Sequence, residues 1–311
     1  MNKSSTHRVI FMGTPEFAVP SLRALIDSPQ FEVVAVVTQP DKPTGRKQVI
    51  TPSPVKALAQ EQGIAVLQPD KVKTNPDFWQ KLRGLNPDVM VVAAYGKILP
   101  QEVLDIPPKG IVNVHASLSP KYRGASPIAS AILNGDTQTG VTIMKLVLAM
   151  DKGPIIGQSE PVDIDPTDTT GSLTAKLAQT GADALLRYLS RYLDGELTPT
   201  PQDDSQATYT KLLDKSVGQI DWHENEELIA RQVRAYSPWP SAYTTLGGMS
   251  VKILSAEVAP IDNPTGHITK IGQDMFIGRL KISQLQPAGG KAMAGSAFLA
   301  GHSEIISTFV L

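Results

Sequence analysis

The first two-thirds of the chain alternates short apolar runs with stretches of helical periodicity. Apolar runs rich in β-branched residues predict strands at residues 9–12, 33–38, 89–94, 111–115 and 141–148. Helical patterns lie between them, and three begin with a capping residue followed by proline, at positions 53–54, 75–76 and 126–127. This alternation predicts an α/β fold: a Rossmann-like, mostly parallel sheet with helices on both faces.

The last third of the chain has a different pattern. A long amphipathic helix predicted at residues 170–193 is followed by a polar stretch rich in proline and aspartate, which indicates an interdomain linker. After a predicted helix at 226–236, short apolar runs split by glycine predict strands at 251–254, 267–271, 280–285 and 305–310. Such a series is typical of a small β-barrel, similar to an OB fold, or of a sandwich. We therefore predict a first domain over residues 1–194, a linker over 195–210 and a second, barrel-like domain over 211–311.

Composition narrows the chemistry that the chain can perform. Its 311 residues include no cysteine and five histidines, none of which is four positions from another. Disulfides, a thiolate nucleophile and a helical metal site are therefore not expected. The net charge of −1 gives no general indication of nucleic-acid binding. No apolar run reaches the roughly 18 residues of a membrane span, and the N-terminal residues lack a signal-like apolar stretch, so we expect a cytoplasmic protein.

Two polar residues interrupt the apolar strand predicted at residues 111–115. Asn113 and His115 are two positions apart, so their side chains project from the same face of that strand. They lie near its carboxyl end, where ligands bind in open α/β sheets. An imidazole can accept a proton from an attacking amine, and an amide N–H can stabilise charge on a carbonyl oxygen. The pair suits acyl transfer, but polar residues at a strand end also serve purely structural roles.

An acidic residue follows the next predicted strand. Asp151 lies in a short loop that contains Gly153, again at a strand end. A carboxylate at this place could orient the imidazole and support its positive charge. The alternative is that Asp151 only caps a turn, as isolated loop aspartates commonly do.

A basic loop follows the second predicted strand. Its cations are Lys42, Arg46 and Lys47, and it contains both glycine and proline. Such a loop can bind phosphates, or it can be an ordinary solvated surface loop. A further cation, Arg123, comes shortly after His115 and could either position a substrate anion or serve the turn.

Several segments of the chain resemble the methionyl-tRNA formyltransferase family. The resemblance extends from about residue 8 to beyond residue 250, and the matching segments are residues 11–18, 38–41, 45–46, 52–56, 92–96, 113–118, 122–125, 140–144, 150–153 and 236–240. The Asn-x-His and Asp-x-Gly parts are common to the wider group that uses 10-formyltetrahydrofolate. Residues 38–56 and 236–240 are more typical of the enzymes that act on tRNA.

The resemblance implies transfer of a formyl group from 10-formyltetrahydrofolate to the amino group of methionine carried by initiator tRNA. Asn113 would bind the formyl oxygen, His115 would transfer protons and Asp151 would support His115. The tetrahydrofolate site would be lined by Ser117, Leu118, Ser119 and Pro120. The acceptor end of the tRNA would be contacted by Arg46, Lys47 and Lys42. The second domain would be the tRNA-binding barrel, the protein would act as a monomer, and no metal would be needed.

Two features depart from the family pattern. Ser119 stands where leucine is common, which removes an apolar side chain from the expected folate site and predicts a changed folate affinity. The run after Arg46 is less basic than usual. In addition, residues 212–311 hold 8 Lys+Arg and 9 Asp+Glu, so a cationic tRNA-binding face would require the charges to be segregated.

Two other functions are consistent with parts of the sequence. A formyltransferase or hydrolase acting on a small amine or on formyl-folate would share the residues Asn113, His115 and Asp151. The basic loop and the segment at residues 236–240 favour the tRNA enzyme over this alternative. A non-catalytic tRNA-binding protein is the second alternative, and the intact set of three polar residues argues against it.

Overall fold

The computed structural model describes residues 6–44 and 49–310. The strands are β1 His7–Gly13, β2 Phe31–Val37, β3 Lys42–Thr44, β4 Val49–Thr51, β5 Val66–Leu67, β6 Val89–Ala93, β7 Ile111–His115, β8 Arg123–Gly124, β9 Gln138–Thr139, β10 Thr142–Lys145, β11 Ile155–Gln158, β12 Val162–Asp163, β13 Tyr209–Thr210, β14 Ala242–Leu246, β15 Met249–Val258, β16 Ile268–Ile271, β17 Asp274–Ile277, β18 Leu280–Pro287 and β19 Met293–Ala294. The α-helices are α1 Val19–Asp27, α2 Pro54–Glu61, α3 Pro76–Gly84, α4 Gln101–Leu104, α5 Pro127–Asn134, α6 Thr170–Leu193, α7 Glu226–Ala235 and α8 Gly295–Gly301.

The described chain divides into two compact units. Unit 1 takes the described residues of Met1–Gly124, Thr139–Val162 and Thr174–Tyr209, and unit 2 takes those of Ala125–Gln138, Asp163–Leu173 and Thr210–Leu311. Helix α5 and the start of α6 thus group with the C-terminal part of the chain. The division of the sequence into domains at 1–194, 195–210 and 211–311 remains a prediction.

Unit 1 is built on a seven-stranded sheet in the order β11-β10-β7-β6-β1-β2-β5. Strands β1, β2, β5, β6 and β7 are mutually parallel, and β10 runs antiparallel to both of its neighbours. The predicted mostly parallel sheet is therefore confirmed. The strand predicted at residues 141–148 is shorter than expected, because β10 covers only Thr142–Lys145.

Both faces of this sheet are buried, which explains why its strands are almost continuously apolar. On one face, Ile10 and Met90 pack in a cluster with Phe78 of α3 and Val103 of α4. On the other face a Cβ on Gly181 of α6 would come within 2.9 Å of the Val114 side chain. Helices therefore cover the two sides, as the sequence pattern predicts.

The helix boundaries follow the local capping chemistry. The Ser53 hydroxyl accepts a hydrogen bond from the Lys56 N–H, and the Asn75 carbonyl oxygen accepts one from the Phe78 N–H. Helix α5 also begins after its predicted Ser–Pro pair, without a side-chain cap. It ends at Gly135, whose φ of 77° is the left-handed conformation that glycine adopts readily.

The polar stretch predicted as a linker has specific anchors up to residue 209. Thr200 exchanges two backbone hydrogen bonds of 2.8 Å with Ile155 of β11. The Thr208 carbonyl accepts a hydrogen bond of 2.9 Å from the Arg123 N–H. The absence of apolar side chains had suggested few anchors, but backbone and polar side-chain hydrogen bonds fix this stretch to unit 1 instead.

Unit 2 contains a six-stranded antiparallel sheet in the order β14-β15-β18-β17-β16, with β19 paired to β18. The register between β15 and β18 shifts around Ser255, and such irregularities let a long strand bend around a core. That core includes Trp222, Ile229 and Val233 together with sheet residues such as Ile253. The strand-rich second domain is thus confirmed.

The strand predicted at residues 305–310 is wrong. The segment starts in a 3₁₀ turn, Ser303–Ile305, and Ser307 has a φ of 67°, which breaks an extended conformation. Only an isolated bridge between Phe309 and His267 remains. The apolar residues serve the core individually: Ile305 and Val310 are buried, whereas Phe309 is exposed.

Within residues 6–44 and 49–310, no helix combines the length and the apolar character needed to cross a membrane.

Candidate active site

The structure places Asn113 and His115 on β7, between β6 and β10 of unit 1. His115 is only 6% exposed, and its Nε2 lies 3.1 Å from the Tyr122 carbonyl oxygen. Because a carbonyl can only accept a hydrogen bond, Nε2 carries the ring hydrogen. The neutral imidazole therefore has Nδ1 free to accept a proton.

Asp151 lies beside this free nitrogen. Its Oδ2 is 3.9 Å from His115 Nδ1, too far for a hydrogen bond but close enough to stabilise a positive charge on the ring. The same oxygen accepts a hydrogen bond of 2.8 Å from the Gly124 N–H, which fixes the carboxylate. The predicted proximity of an imidazole and a carboxylate is thus present in the structure.

The Asn113 amide differs from a buried structural amide, whose hydrogen-bonding groups are normally all paired. Its side chain is half-buried, and no described residue forms a hydrogen bond with its amide group. It projects from the same face of β7 as His115. A free amide N–H beside an imidazole is the arrangement that can hold a carbonyl oxygen while a proton is transferred nearby.

The segment predicted to line a ligand site is tied to β10 and β11. The Ser119 N–H donates to Thr142 Oγ1 (2.9 Å), which itself donates to the Ser117 carbonyl (2.7 Å), and Gln158 Nε2 donates to the Ser119 carbonyl (2.9 Å). Leu118 and Pro120 are half-buried. The Ser119 hydroxyl is buried and has no hydrogen-bond partner. This segment is therefore held in place by hydrogen bonds to β10 and β11.

The sequence left two roles open for Arg123, a contact with a substrate anion or support of the turn, and its contacts support the second. Its side chain is buried, and its Nη1 forms an ion pair of 2.7 Å with Asp204. Its Nε and Nη2 donate to Gln202 Oε1 at 3.1 and 2.9 Å. A hydrogen bond from the guanidinium holds the pKa of Asp204 below its usual value. Arg123 therefore organises the surrounding chain.

The basic loop is only partly described. Arg46 and Lys47 lie outside the described residues, whereas Lys42 is exposed and donates to Gln39 Oε1 at 3.2 Å. Strands β3 and β4, on either side of residues 45–48, pair in antiparallel orientation.

A half-buried polar network lies at the start of this hairpin. Lys56 Nζ forms an ion pair with Asp41, and Gln68 Nε2 donates to Asp41 Oδ1 at 2.8 Å. The hydrogen bonds from Lys56 and Gln68 lower the pKa of the Asp41 carboxyl. These contacts tie Asp41, the residue before β3, to Lys56 of α2 and to Gln68.

Sequence reasoning missed three residues of this site. Thr142 and Gln158 hold the segment around Ser119, and Gln202 contacts both Arg123 and the Asp151 loop. Each is a common polar residue whose partners lie between 16 and 79 positions away along the chain. No local signal in the sequence distinguishes such residues from ordinary surface positions.

Among the described residues, no group of three His, Asp or Glu side chains is arranged to hold a metal ion. The polar groups that converge here are suited to hydrogen bonding and proton transfer to and from an organic substrate.

Comparison with known families agrees with this geometry. The formyl transferase family model matches residues 7–189, and the model of the formyl transferase C-terminal domain matches residues 212–303. The two matches cover the α/β part of the chain and the strand-rich part that follows it. The chain belongs to the formyl transferase family.

Relatives of known name indicate a more particular group. A methionyl-tRNA formyltransferase from Chloroflexus aggregans is 47% identical over 306 residues, which are 94% of this chain and 97% of that protein. One from Bacillus cereus (strain B4264) is 44% identical over 309 residues, 97% of this chain and 98% of that protein. The similarity therefore extends over both units.

Solved structures with the same fold are more distant in sequence. An N-formyltransferase from Helicobacter canadensis in complex with folinic acid and dTDP-3-aminofucose superposes with a TM-score of 0.68 at 18% identity, covering 93% of this chain and all of that one. HypX from Aquifex aeolicus in complex with tetrahydrofolic acid gives a TM-score of 0.64 at 16% identity, covering 97% of this chain and 48% of that one. At these identities the likeness concerns the fold.

Proposed function

We propose that this protein transfers a formyl group from 10-formyltetrahydrofolate to the amino group of methionine attached to initiator tRNA, and that it does so in the cytoplasm as a monomer. The relatives named methionyl-tRNA formyltransferases, at 44–47% identity over nearly the whole chain, support this substrate pair. The observation that carries the chemistry is the group of Asn113, His115 and Asp151 in unit 1, with the Asn113 amide free.

Three side chains divide the work of the reaction. The Asn113 amide donates a hydrogen bond to the formyl oxygen and stabilises the negative charge that develops there. His115 Nδ1 accepts the proton that the attacking amine loses, and returns it to N10 of the folate as the bond between that nitrogen and the formyl carbon breaks. The imidazolium so formed lies 3.9 Å from the Asp151 carboxylate, which stabilises its positive charge. Attack by the amine itself makes a Ser or Cys nucleophile unnecessary.

The residues from Ser117 to Pro120 fit a polar organic cosubstrate. The folate supplies the formyl group. Half-buried Leu118 and Pro120 offer apolar contact. Ser119 replaces a leucine that is common in the family, which removes an apolar contact and changes the expected folate affinity.

The tRNA is bound by the basic loop and by unit 2. Lys42, Arg46 and Lys47 contact phosphates at the acceptor end. Unit 2 is the tRNA-binding module. Because residues 212–311 hold almost equal numbers of acidic and basic residues, binding relies on cations without acidic neighbours.

The decisive experiment is a formylation assay with purified protein and 10-formyltetrahydrofolate. We expect rapid formylation of methionyl-tRNA when the tRNA is the initiator, and little formylation on elongator tRNA. Equal activity on free methionine or on an amino sugar would support a small-amine formyltransferase instead. Release of formate without any acceptor would support a hydrolase, and tRNA binding without turnover would support a non-catalytic protein.

The role of the basic loop can be tested with Arg46→Ala. We expect a higher KM for the tRNA and a smaller dependence of that KM on salt, because one phosphate contact is lost. The control is Lys81→Ala, which removes an exposed cation from α3. An unchanged salt dependence in Arg46→Ala would remove Arg46 from the tRNA-binding surface.

A further inference from the structure

Gln202 makes an unusually complete set of hydrogen bonds next to the candidate active site. Its Nε2 donates to the backbone carbonyls of Asp151 (2.8 Å) and Gly153 (2.7 Å). Its Oε1 accepts from Nε (3.1 Å) and Nη2 (2.9 Å) of Arg123. Both N–H donors and both acceptor positions of the amide are therefore used.

Arg123 determines which way this amide points. Its guanidinium is 1% exposed and is fixed by Asp204 at 2.7 Å and by the Tyr209 hydroxyl at 3.3 Å. Because a guanidinium can only donate, the oxygen of Gln202 must face Arg123. The NH₂ group is then directed at the two loop carbonyls.

The loop that receives these hydrogen bonds needs external support. Asp151 has a φ of 50°, a conformation that costs a non-glycine residue about 1 kcal/mol or more. Gly153 packs so closely on the Lys145 carbonyl that a Cβ would not fit. Such a backbone persists only when neighbouring groups hold it.

The Arg123–Gly124 dipeptide holds Asp151 at two points. The Gly124 N–H donates to the Asp151 carboxylate directly, at 2.8 Å. Arg123 acts through Gln202 on the Asp151 backbone carbonyl. The carboxylate and its backbone are thus positioned against the same rigid segment, 3.9 Å from His115 Nδ1.

We propose that Gln202 is a positioning residue for the reaction, holding the Asp151 loop so that the carboxylate stays beside the His115 imidazole. The inference rests on the proposed function for its kinetic consequences. The proposal extends the candidate active site to a residue of the polar stretch at 195–210.

Two substitutions separate the contacts of Gln202. Gln202→Met keeps the length of the side chain and removes all four hydrogen bonds. Gln202→Glu retains acceptors for Arg123 but turns oxygens towards the Asp151 and Gly153 carbonyls, which repel them. Gln206→Met is the matched control, because this glutamine lies in the same stretch with an exposed side chain.

We expect Gln202→Met to lower kcat about tenfold with little change in either KM, since a displaced carboxylate stabilises the imidazolium less well. The acid side of its kcat–pH profile should shift to lower pH, because the protonated ring loses part of its support. Gln202→Glu should lower kcat at least as much. The kcat of Gln206→Met should lie within twofold of that of the unmodified protein.

A double-mutant cycle with Asp151→Asn distinguishes positioning from general stability. In the Asp151→Asn background the loop carbonyls remain but the carboxylate is gone. If Gln202 acts through that carboxylate, Gln202→Met should then lower kcat less than twofold. An equal loss of kcat in both backgrounds overturns the proposal.

A measurement without substrates keeps this test independent of the proposed reaction. The His115 ring can be titrated by NMR in the full-length protein, and the midpoint in Gln202→Met should lie at lower pH than in Gln206→Met. Amide exchange of the Asp151–Gly153 loop should also be faster. Identical midpoints and exchange rates in the two variants would refute the positioning role, even if the protein acts on another amine.

Discussion

Each unit contains a polar cluster built on an asparagine and a histidine, and the two clusters use these residues differently. In unit 2, Asn263 Nδ2 donates to the carbonyls of His267 (3.0 Å) and Gly278 (2.7 Å), and its Oδ1 accepts from Thr269 Oγ1 (2.9 Å). The amide is therefore fully used. In unit 1, the Asn113 amide has no protein partner at all among the described residues.

The histidines differ in the same way. The His267 ring packs on Phe309, with 4.8 Å between ring centroids, and its Nδ1 lies 3.0 Å from the Asn263 amide oxygen. The His115 ring has one hydrogen bond, through Nε2, and presents Nδ1 to a carboxylate beyond hydrogen-bond distance. Hydrogen-bonding capacity that the protein leaves unused, rather than the residue types, marks the candidate active site.

The largest effect should come from His115→Ala. We expect turnover to fall by roughly two or more orders of magnitude with the fold intact, because proton transfer by a positioned side chain contributes about that much. Steady-state formylation and circular dichroism are the measurements. If His267→Ala lowered the turnover of folded protein equally, the contrast between the two clusters would be wrong.

Asn113→Ala should have a similar but smaller effect, a loss of about 100-fold in kcat, since one oxyanion donor is removed. Its stability in urea should change little, because the amide has no protein partner to leave unpaired. A strong loss of stability would instead assign Asn113 a structural role.

For Asn263→Ala we expect the reverse: a loss of about 2 kcal/mol in the free energy of unfolding, because the buried Gly278 carbonyl loses its donor. Urea unfolding followed by Trp fluorescence measures this change. Turnover per folded molecule should stay within twofold, and a loss comparable to that of Asn113→Ala would contradict the comparison.

The smallest effect should come from Tyr95, which is not one of the three side chains Asn113, His115 and Asp151. The Tyr95 hydroxyl is buried without a partner, and the residue is 1% exposed. Burial raises the pKa of Tyr95 to about 12. Tyr95→Phe should therefore be neutral or stabilising by about 1 kcal/mol at neutral pH.

This substitution also has a pH dependence of known sign. Because the folded protein keeps the Tyr95 proton to higher pH than the unfolded chain, the contribution of this group is complete below pH 10 and is lost as the pH rises towards 12. Between pH 10 and pH 12, the free energy of unfolding should fall less in Tyr95→Phe than in the unmodified protein. Thermal unfolding at pH 9 and pH 11 measures the difference, and equal losses in both proteins would contradict it.

The local pattern of the chain determined most of its elements. Helix α6 begins and ends at the residues that the periodicity predicts, and β7 likewise. Capping residues such as Ser53 and Asn75 marked helix starts, because their hydrogen bonds span only three residues. The alternation of Asn113 and His115 along a strand was likewise enough to place both on one face.

Only the tertiary structure decided which polar groups are satisfied and which are free. The hydrogen bonds of Gln202 join residues about 50 to 80 positions apart, and no periodicity records such pairs. The burial of Arg123 and its ion pair with Asp204 have the same origin. Sequence periodicity reflects the geometry of single helices and strands, whereas hydrogen-bond satisfaction depends on which distant segments the fold brings together.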